Sequence, residues 1–173
     1  MERRDITQRR SSVPPVIQGL AIVQVRSPVQ IQLAQELFLE YAQSLGFSLC
    51  FQGFDKELAG LPGDYAPPEG RLLLAEYEGE LSGCIALHKL TPEICEMKRL
   101  YLRPKLRGKG LGRALVEMLI AEARKTGYRQ MRLDTVEPRM RDAVALYRKF
   151  GFKEIAPYRP NPIEGAMYME LQL

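Results

Sequence analysis

Arg107-Gly108-Lys109-Gly110-Leu111-Gly112 joins a β-like run ending at Leu102 to the clearest helical pattern in the chain, Gly110 to Thr126. Glycines at 108, 110 and 112 let the backbone approach a ligand closely and expose N–H groups in the first helical turn. Those donors and the helix dipole form an anion site for which a pyrophosphate is a natural guest. The same glycines also suit a plain strand-to-helix turn flanked by solvated basic residues, so the surrounding charge has to separate the two. From Lys98 to Arg113 the chain carries seven basic residues (Lys98, Arg99, Arg103, Lys105, Arg107, Lys109 and Arg113) and no acidic one. Charge packed into so short a stretch suits a compact anion better than a duplex lying across a face.

The type of phosphate ligand is narrowed by what the loop lacks. The P-loop pattern G-x-x-x-x-G-K-[ST] is absent. The dinucleotide pattern G-x-G-x-x-G fails because Arg113 stands where the third glycine, counted from Gly108, should be. The strand before the loop also comes fourth, after an antiparallel-looking hairpin, rather than opening a βαβ unit. Nicotinamide cofactors and nucleoside triphosphates are therefore disfavoured.

Working outward, Ala21 to Arg26 reads as a first strand. Val29 to Leu45 reads as an amphipathic helix with apolar Leu33, Leu37, Phe38 and Tyr41, begun by Ser27-Pro28 and ended by Gly46. A second short helix is expected near Asp55 to Ala59, followed by a Pro/Gly-rich loop from Leu61 to Gly70 with neither helix nor strand. Arg71 to Tyr77 and Leu81 to Leu90 flank the turn Gly79-Glu80, and Ile94 to Leu102 is a third strand of that sheet, ended by Pro104. The helix from Gly110 shows the stripe Leu111, Leu115, Met118 and Leu119, with Gly127 as its stop. Then come a strand at Gln130 to Thr135, a helix at Arg139 to Phe150, and two last strands, Phe152 to Ile155 and Ala166 to Leu173. The order predicts an α/β fold, a mixed β-sheet with helices on both faces.

The 173 residues are enough for one domain with a substantial core, and 46% hydrophobic with 27% charged residues is a globular balance. The expected organisation is a flexible basic tail over residues 1–19 and a single domain over 20–173. Half of the net charge of +4 belongs to that tail, where four arginines before Val13 face Glu2 and Asp5. No apolar run approaches the roughly 18 residues that cross a bilayer. No apolar stretch follows the Arg-rich Met1 to Ser12, so no secretory signal and a cytoplasmic setting are expected. Cys50, Cys84 and Cys95 are odd in number and lack C-x-x-C spacing, as expected of reduced, mostly buried thiols. The single histidine, His88, leaves little room for a zinc site, and no metal is expected.

At this point three motifs in order resemble one family. R-G-K-G-L-G fits the Q/R-x-x-G-x-G/A signature of the GNAT superfamily of N-acetyltransferases. Glu96-Met97-Lys98-Arg99-Leu100-Tyr101-Leu102-Arg103-Pro104 is similar to that family's fourth strand, and Ala145-Leu146-Tyr147-Arg148-Lys149-Phe150-Gly151-Phe152 to its helix motif ending in L-Y-x-K-x-G-F. The resemblance is specific from about Arg71 to Phe152. It implies a central sheet of about six to seven strands and acetyl-CoA as co-substrate. Its pyrophosphate would be held by Arg107, Gly108, Lys109, Gly110, Leu111, Gly112 and Arg113, and its pantetheine arm by the backbone of Leu100, Tyr101 and Leu102. It also implies Tyr147 as the acid for the departing thiolate, and Glu96, where some members carry a strand-borne glutamate near the incoming amine, as the base. The residues alone equally suit a core tyrosine and an outward-facing strand glutamate, with a water chain as the base instead. A tyrosine of pKa about 10 can protonate a thiolate whose thiol has a pKa of about 8.5. One departure stands out: many relatives carry asparagine seven residues before the helix tyrosine, where this chain has Met140.

The acceptor implied is a primary amine of a small molecule or peptide. The segment Phe38 to Phe54 and the loops Leu61 to Gly70 and Pro157 to Gly165 are expected at its mouth, with Tyr65, Tyr158 and Asn161 as possible contacts. A second copy of the chain in a homodimer is a further expected partner, whereas nucleic acid and membrane are not. The competing readings are a non-catalytic acyl-CoA-binding regulatory module and, more remotely, a nucleic-acid binder, which would lose affinity steeply with salt.

Overall fold

The structure, a computed structural model, describes residues 16–173. Seven strands and four α-helices follow in the order β1 (Leu20–Gln24), α1 (Pro28–Leu45), α2 (Phe54–Ala59), β2 (Arg71–Tyr77), β3 (Glu80–Lys89), β4 (Ile94–Leu102), α3 (Leu111–Thr126), β5 (Gln130–Val136), α4 (Arg141–Phe150), β6 (Lys153–Ile155) and β7 (Ala166–Gln172). They form one sheet in the order β1-β2-β3-β4-β5-β7-β6. Every pairing is antiparallel except β4 with β5. Of the expected tail, residues 1–15 lie outside the described residues. Ile17 to Gly19 are tied to the sheet, since Ile17 O accepts from Leu20 N at 3.2 Å and Gly19 O from Glu78 N at 2.8 Å.

Local chemistry sets the element ends. At the start of α1 the Ser27 hydroxyl accepts from the Gln30 backbone N–H while the Gln30 side chain accepts from the Ser27 N–H, a reciprocal cap reinforced by Pro28. In α3 the buried residues are Leu111, Leu115, Val116, Leu119, Ile120 and Ala123, and Met118 is 39% exposed. The expected stripe therefore needs correcting. At 3.6 residues per turn the apolar face drifts toward 116, 120 and 123, leaving 118 at its rim. A one-turn 3₁₀ helix at Gly63–Tyr65 interrupts the loop expected to be without helix, and Cys50 is exposed while Cys84 and Cys95 are buried.

The sheet is covered on both sides. One face packs Leu87, Met97, Met131 and Leu133 against Leu115, Leu119 and Val144 of α3 and α4. The other packs Leu72, Leu74 and Ala86 against Leu37 and Phe38 of α1 and Phe54 of α2. Burial of this apolar surface is the main favourable term in folding. Among the described residues no helix is long and apolar enough to cross a membrane.

Two irregularities in β4 position everything that follows. First, its pairing with β5 covers only Ile94–Glu96 against Gln130–Arg132, after which the two strands part. Second, Arg99 has φ +60° at a bulge, where Arg99 and Leu100 together face Ile85. Regular alternation would send Lys98 and Arg99 to opposite faces. The bulge instead keeps both on the α1/α2 face, and sends Leu100 and Leu102 to the α3 face.

Candidate active site

The loop after β4 carries its glycines and cations at the surface. Gly110, with φ +80°, precedes α3, and among the described residues no side chain caps the first N–H groups of the 16-residue helix. A side chain at Gly110 would be strained by that left-handed backbone. Above this N-terminus stand three exposed cations with light attachments. Arg107 Nε donates to Leu102 O at 3.1 Å, Arg113 Nε pairs with Glu117 at 2.8 Å, and Lys109 Nζ lies 5.7 Å from the Tyr77 ring centre. Such exposed contacts are worth little and yield readily to a stronger anion. Helix dipole, free donors and three cations thus suit a pyrophosphate.

The basic stretch read as one cluster is divided by the fold. Arg103 pairs with Glu36 and Glu40 of α1, and Lys105 with Glu80. Lys98 and Arg99 lie in the strand interior on the α1/α2 face. Only Arg107, Lys109 and Arg113 remain at the loop. Beyond Glu96 the edge of β4 that faces β5 has no strand partner among the described residues, and this seam leads away from the loop with the Leu100–Leu102 backbone along it. Met140, in the place of the family's usual asparagine, has its thioether 3.4 Å from the Thr135 hydroxyl.

Tyr147 sits on α4 facing the core, 4% exposed, its ring 5.8 Å from that of Phe152. Among the described residues its hydroxyl has no hydrogen-bond partner. Burial, with smaller contributions from Tyr41 and Asp134, pushes its pKa up, so it holds its proton at neutral pH.

Glu96 is fully buried rather than outward-facing. Its carboxylate is 2.6 Å from His88 Nε2, accepts from the Tyr158 hydroxyl at 2.7 Å and from Arg159 Nη1 at 3.0 Å, and is ion-paired with Arg159 Nη2 at 2.8 Å. Burial alone would raise its pKa, but the His88 hydrogen bond, the charges of Arg159 and Lys98 and the Tyr158 hydroxyl together lower it to about 2. Arg159 also binds Asp134 at 2.5 Å, and Asn161 donates to Asp134 at 3.0 Å. The expected contact residues Tyr158 and Asn161 are therefore bound to the two strand carboxylates. Tyr65 is likewise engaged, donating to Glu57 at 2.5 Å.

A second buried ion pair lies beside this network. Arg99, 4% exposed, donates to both oxygens of Glu57 at 2.5 and 3.0 Å and to Gln52 at 3.1 Å, and it lies 5.4 Å from the Phe54 ring centre. Neither Glu57 nor Asp134 was marked by any sequence motif. The one available signal was a carboxylate inside an otherwise strand-like run, Gln130-Met131-Arg132-Leu133-Asp134-Thr135.

Comparison with known proteins agrees with this geometry. Residues 33–152 match the family model described as the acetyltransferase (GNAT) family. An uncharacterised N-acetyltransferase of Schizosaccharomyces pombe is 43% identical over 157 residues, covering 90% of this chain and 96% of that protein. Among solved structures, an acetyltransferase from Streptococcus agalactiae shares the fold with a TM-score of 0.73 at 24% identity, covering 90% of this chain and 99% of that one. A GNAT family acetyltransferase from Elizabethkingia anophelis, solved with acetyl-CoA bound, shares it with a TM-score of 0.62 at 19% identity, covering 90% and 99%. With its sheet, its glycine loop and these relatives in agreement, the chain belongs to the GNAT family of acetyltransferases.

Proposed function

We propose that residues 20–173 act as one domain that moves an acetyl group from acetyl-CoA to a primary amine of a small molecule or peptide. The observation that carries this reading is the uncapped N-terminus of α3 at Gly110, ringed by Arg107, Lys109 and Arg113, at the end of the open seam between β4 and β5. Acetyl-CoA bound to a protein of the same fold supports it. In this reading the backbone of Gly108 to Gly112 and the three cations hold the pyrophosphate, and the Leu100–Leu102 backbone receives the pantetheine arm. The thioester supplies an activated acetyl group.

The chain's own residues then have separate tasks. A backbone N–H near Leu102 donates to the acetyl carbonyl, where negative charge develops as the amine attacks. In this reading Tyr147, which keeps its proton at neutral pH, gives it to the departing sulfur. Glu96 is a weaker candidate for the base expected of it. A carboxylate with a pKa of about 2 and three donors is a poor proton acceptor. Its proposed role is to hold His88, Tyr158 and Arg159 in place beneath the acceptor cleft, with water taking the amine's proton.

The test is release of free CoA thiol from acetyl-CoA with a panel of primary amines. Amine-dependent release is the expected result. Tight acetyl-CoA binding without acetylation of any amine would favour the non-catalytic acyl-CoA-binding module instead.

A further inference from the structure

We propose that the acceptor is an amino acid with an apolar side chain, and that Lys98 binds its carboxylate. This rests on the acetyl-transfer reading above and adds the class of acceptor. The cleft concerned opens on the α1/α2 face where β4 and β5 part, with Tyr41, Phe47 and Phe51 as an aromatic wall and Lys98, Asp134 and Asn161 as its polar side.

Each carboxylate in and beneath the cleft already has its donors. Glu57 holds Arg99 through both oxygens, Asp134 is bonded by Arg159 and Asn161, and Glu96 by His88, Tyr158 and Arg159. Lys98, a cation among them, has no such partner. Its ammonium offers three donors, yet among the described residues it has neither a hydrogen bond nor an ion pair. It is only half-buried by surface, so one side of it opens to the cleft. An ammonium withdrawn from water without an acceptor is costly. Burial lowers its pKa, and so do the neighbouring Arg99 and Arg159, against the opposing pull of the Glu96 and Glu57 carboxylates, which are taken up by other donors. An incoming carboxylate would relieve that cost through a charge-assisted hydrogen bond.

The lining of the cleft matches the chemistry of such a molecule. The aromatic wall offers apolar surface for a side chain, as small-molecule sites usually do. Lys98 lies on the strand that continues into the Leu100–Leu102 backbone, so a carboxylate held there keeps its amine near the acetyl group. A like charge beside the acceptor amine also favours the amine's neutral, nucleophilic form.

The experiment compares matched pairs that differ only in the carboxylate: phenylalanine with phenethylamine, and leucine with isoamylamine. Acetylation is measured with wild type, Lys98→Met and Lys98→Arg. We expect kcat/KM to favour an amino acid over its amine by about 100-fold in wild type, because a site built for a polar group rejects the analogue that lacks it. Lys98→Met should bring that preference to within about threefold, and Lys98→Arg should keep most of it. Equal or better use of the bare amines by wild type overturns the inference, and that comparison does not depend on any variant folding. So does an undiminished preference in Lys98→Met, or no turnover of either amino acid by a protein that binds acetyl-CoA. Absence of acetyl-CoA binding, titrated separately, would instead remove the acetyl-transfer reading and this inference with it.

Discussion

The middle of β4 and the loop beyond its end hold positive charge in opposite ways. Past its C-terminal end, Arg107, Lys109 and Arg113 stand exposed over a helix N-terminus, attached to a carbonyl, an aromatic ring and a surface glutamate. In its middle, Arg99 is buried against Glu57, and Glu96 is buried against Arg159. The first group keeps its solvation until an anion replaces it. The second has given up water and is held by geometry, which makes it a frame for the cleft. Lys98 lies between these cases, drawn inward with no acceptor among the described residues, which is why the proposed carboxylate contact falls there.

Removing part of the frame should cost the most. Arg99→Met would leave Glu57 buried without its partner and should lower the free energy of unfolding by about 4 kcal/mol, read by denaturant titration. A loss below about 1 kcal/mol would mean that the pair behaves like a surface bridge, and the contrast between strand and loop would disappear.

Acid should act next, and on the same region. The folded-state pKa of Glu96 lies at about 2, below its ordinary value. Its contribution of roughly 3 kcal/mol is therefore complete above about pH 4.5 and is lost as pH falls toward 2. Thermal unfolding from pH 7 to pH 3 should show this acid limb, and Glu96→Gln should flatten it. An identical limb in the variant would assign the acid sensitivity to other carboxylates.

At the reacting centre the effect should be kinetic. Tyr147→Phe removes only the transferable proton, so kcat should fall by about 100-fold with acetyl-CoA affinity nearly unchanged. Normal turnover across the pH range would show that Tyr147 is a core tyrosine and no more.

The same contrast explains what could be read from the sequence. The loop was legible because its chemistry is contiguous: glycines and cations within seven positions, followed by a helix whose start and stop are local. Strand and helix order was legible for the same reason, through periodicity and Gly/Pro punctuation. The cleft was not, because its partners come from distant places. Glu57 belongs to α2, Asp134 to β5, and Tyr158, Arg159 and Asn161 to the loop before β7. No local pattern announces which carboxylate meets which arginine. The bulge at Arg99 had no signal either, since arginine gives no hint of a positive φ. That single backbone departure turned two consecutive cations to one face, so a basic stretch that reads as one cluster is divided between the strand and the loop.

The measurement that bears most directly on this account is isothermal titration of acetyl-CoA into the wild-type protein and into Gly110→Trp, with NADH and ATP as controls. The account predicts saturable binding of acetyl-CoA to wild type in preference to both controls. It also predicts at least about 100-fold weaker binding, or about 2.7 kcal/mol, in a folded Gly110→Trp, whose indole would stand over the helix N-terminus. Equal affinity in the two proteins would contradict it, because the loop after β4 would then not hold the pyrophosphate.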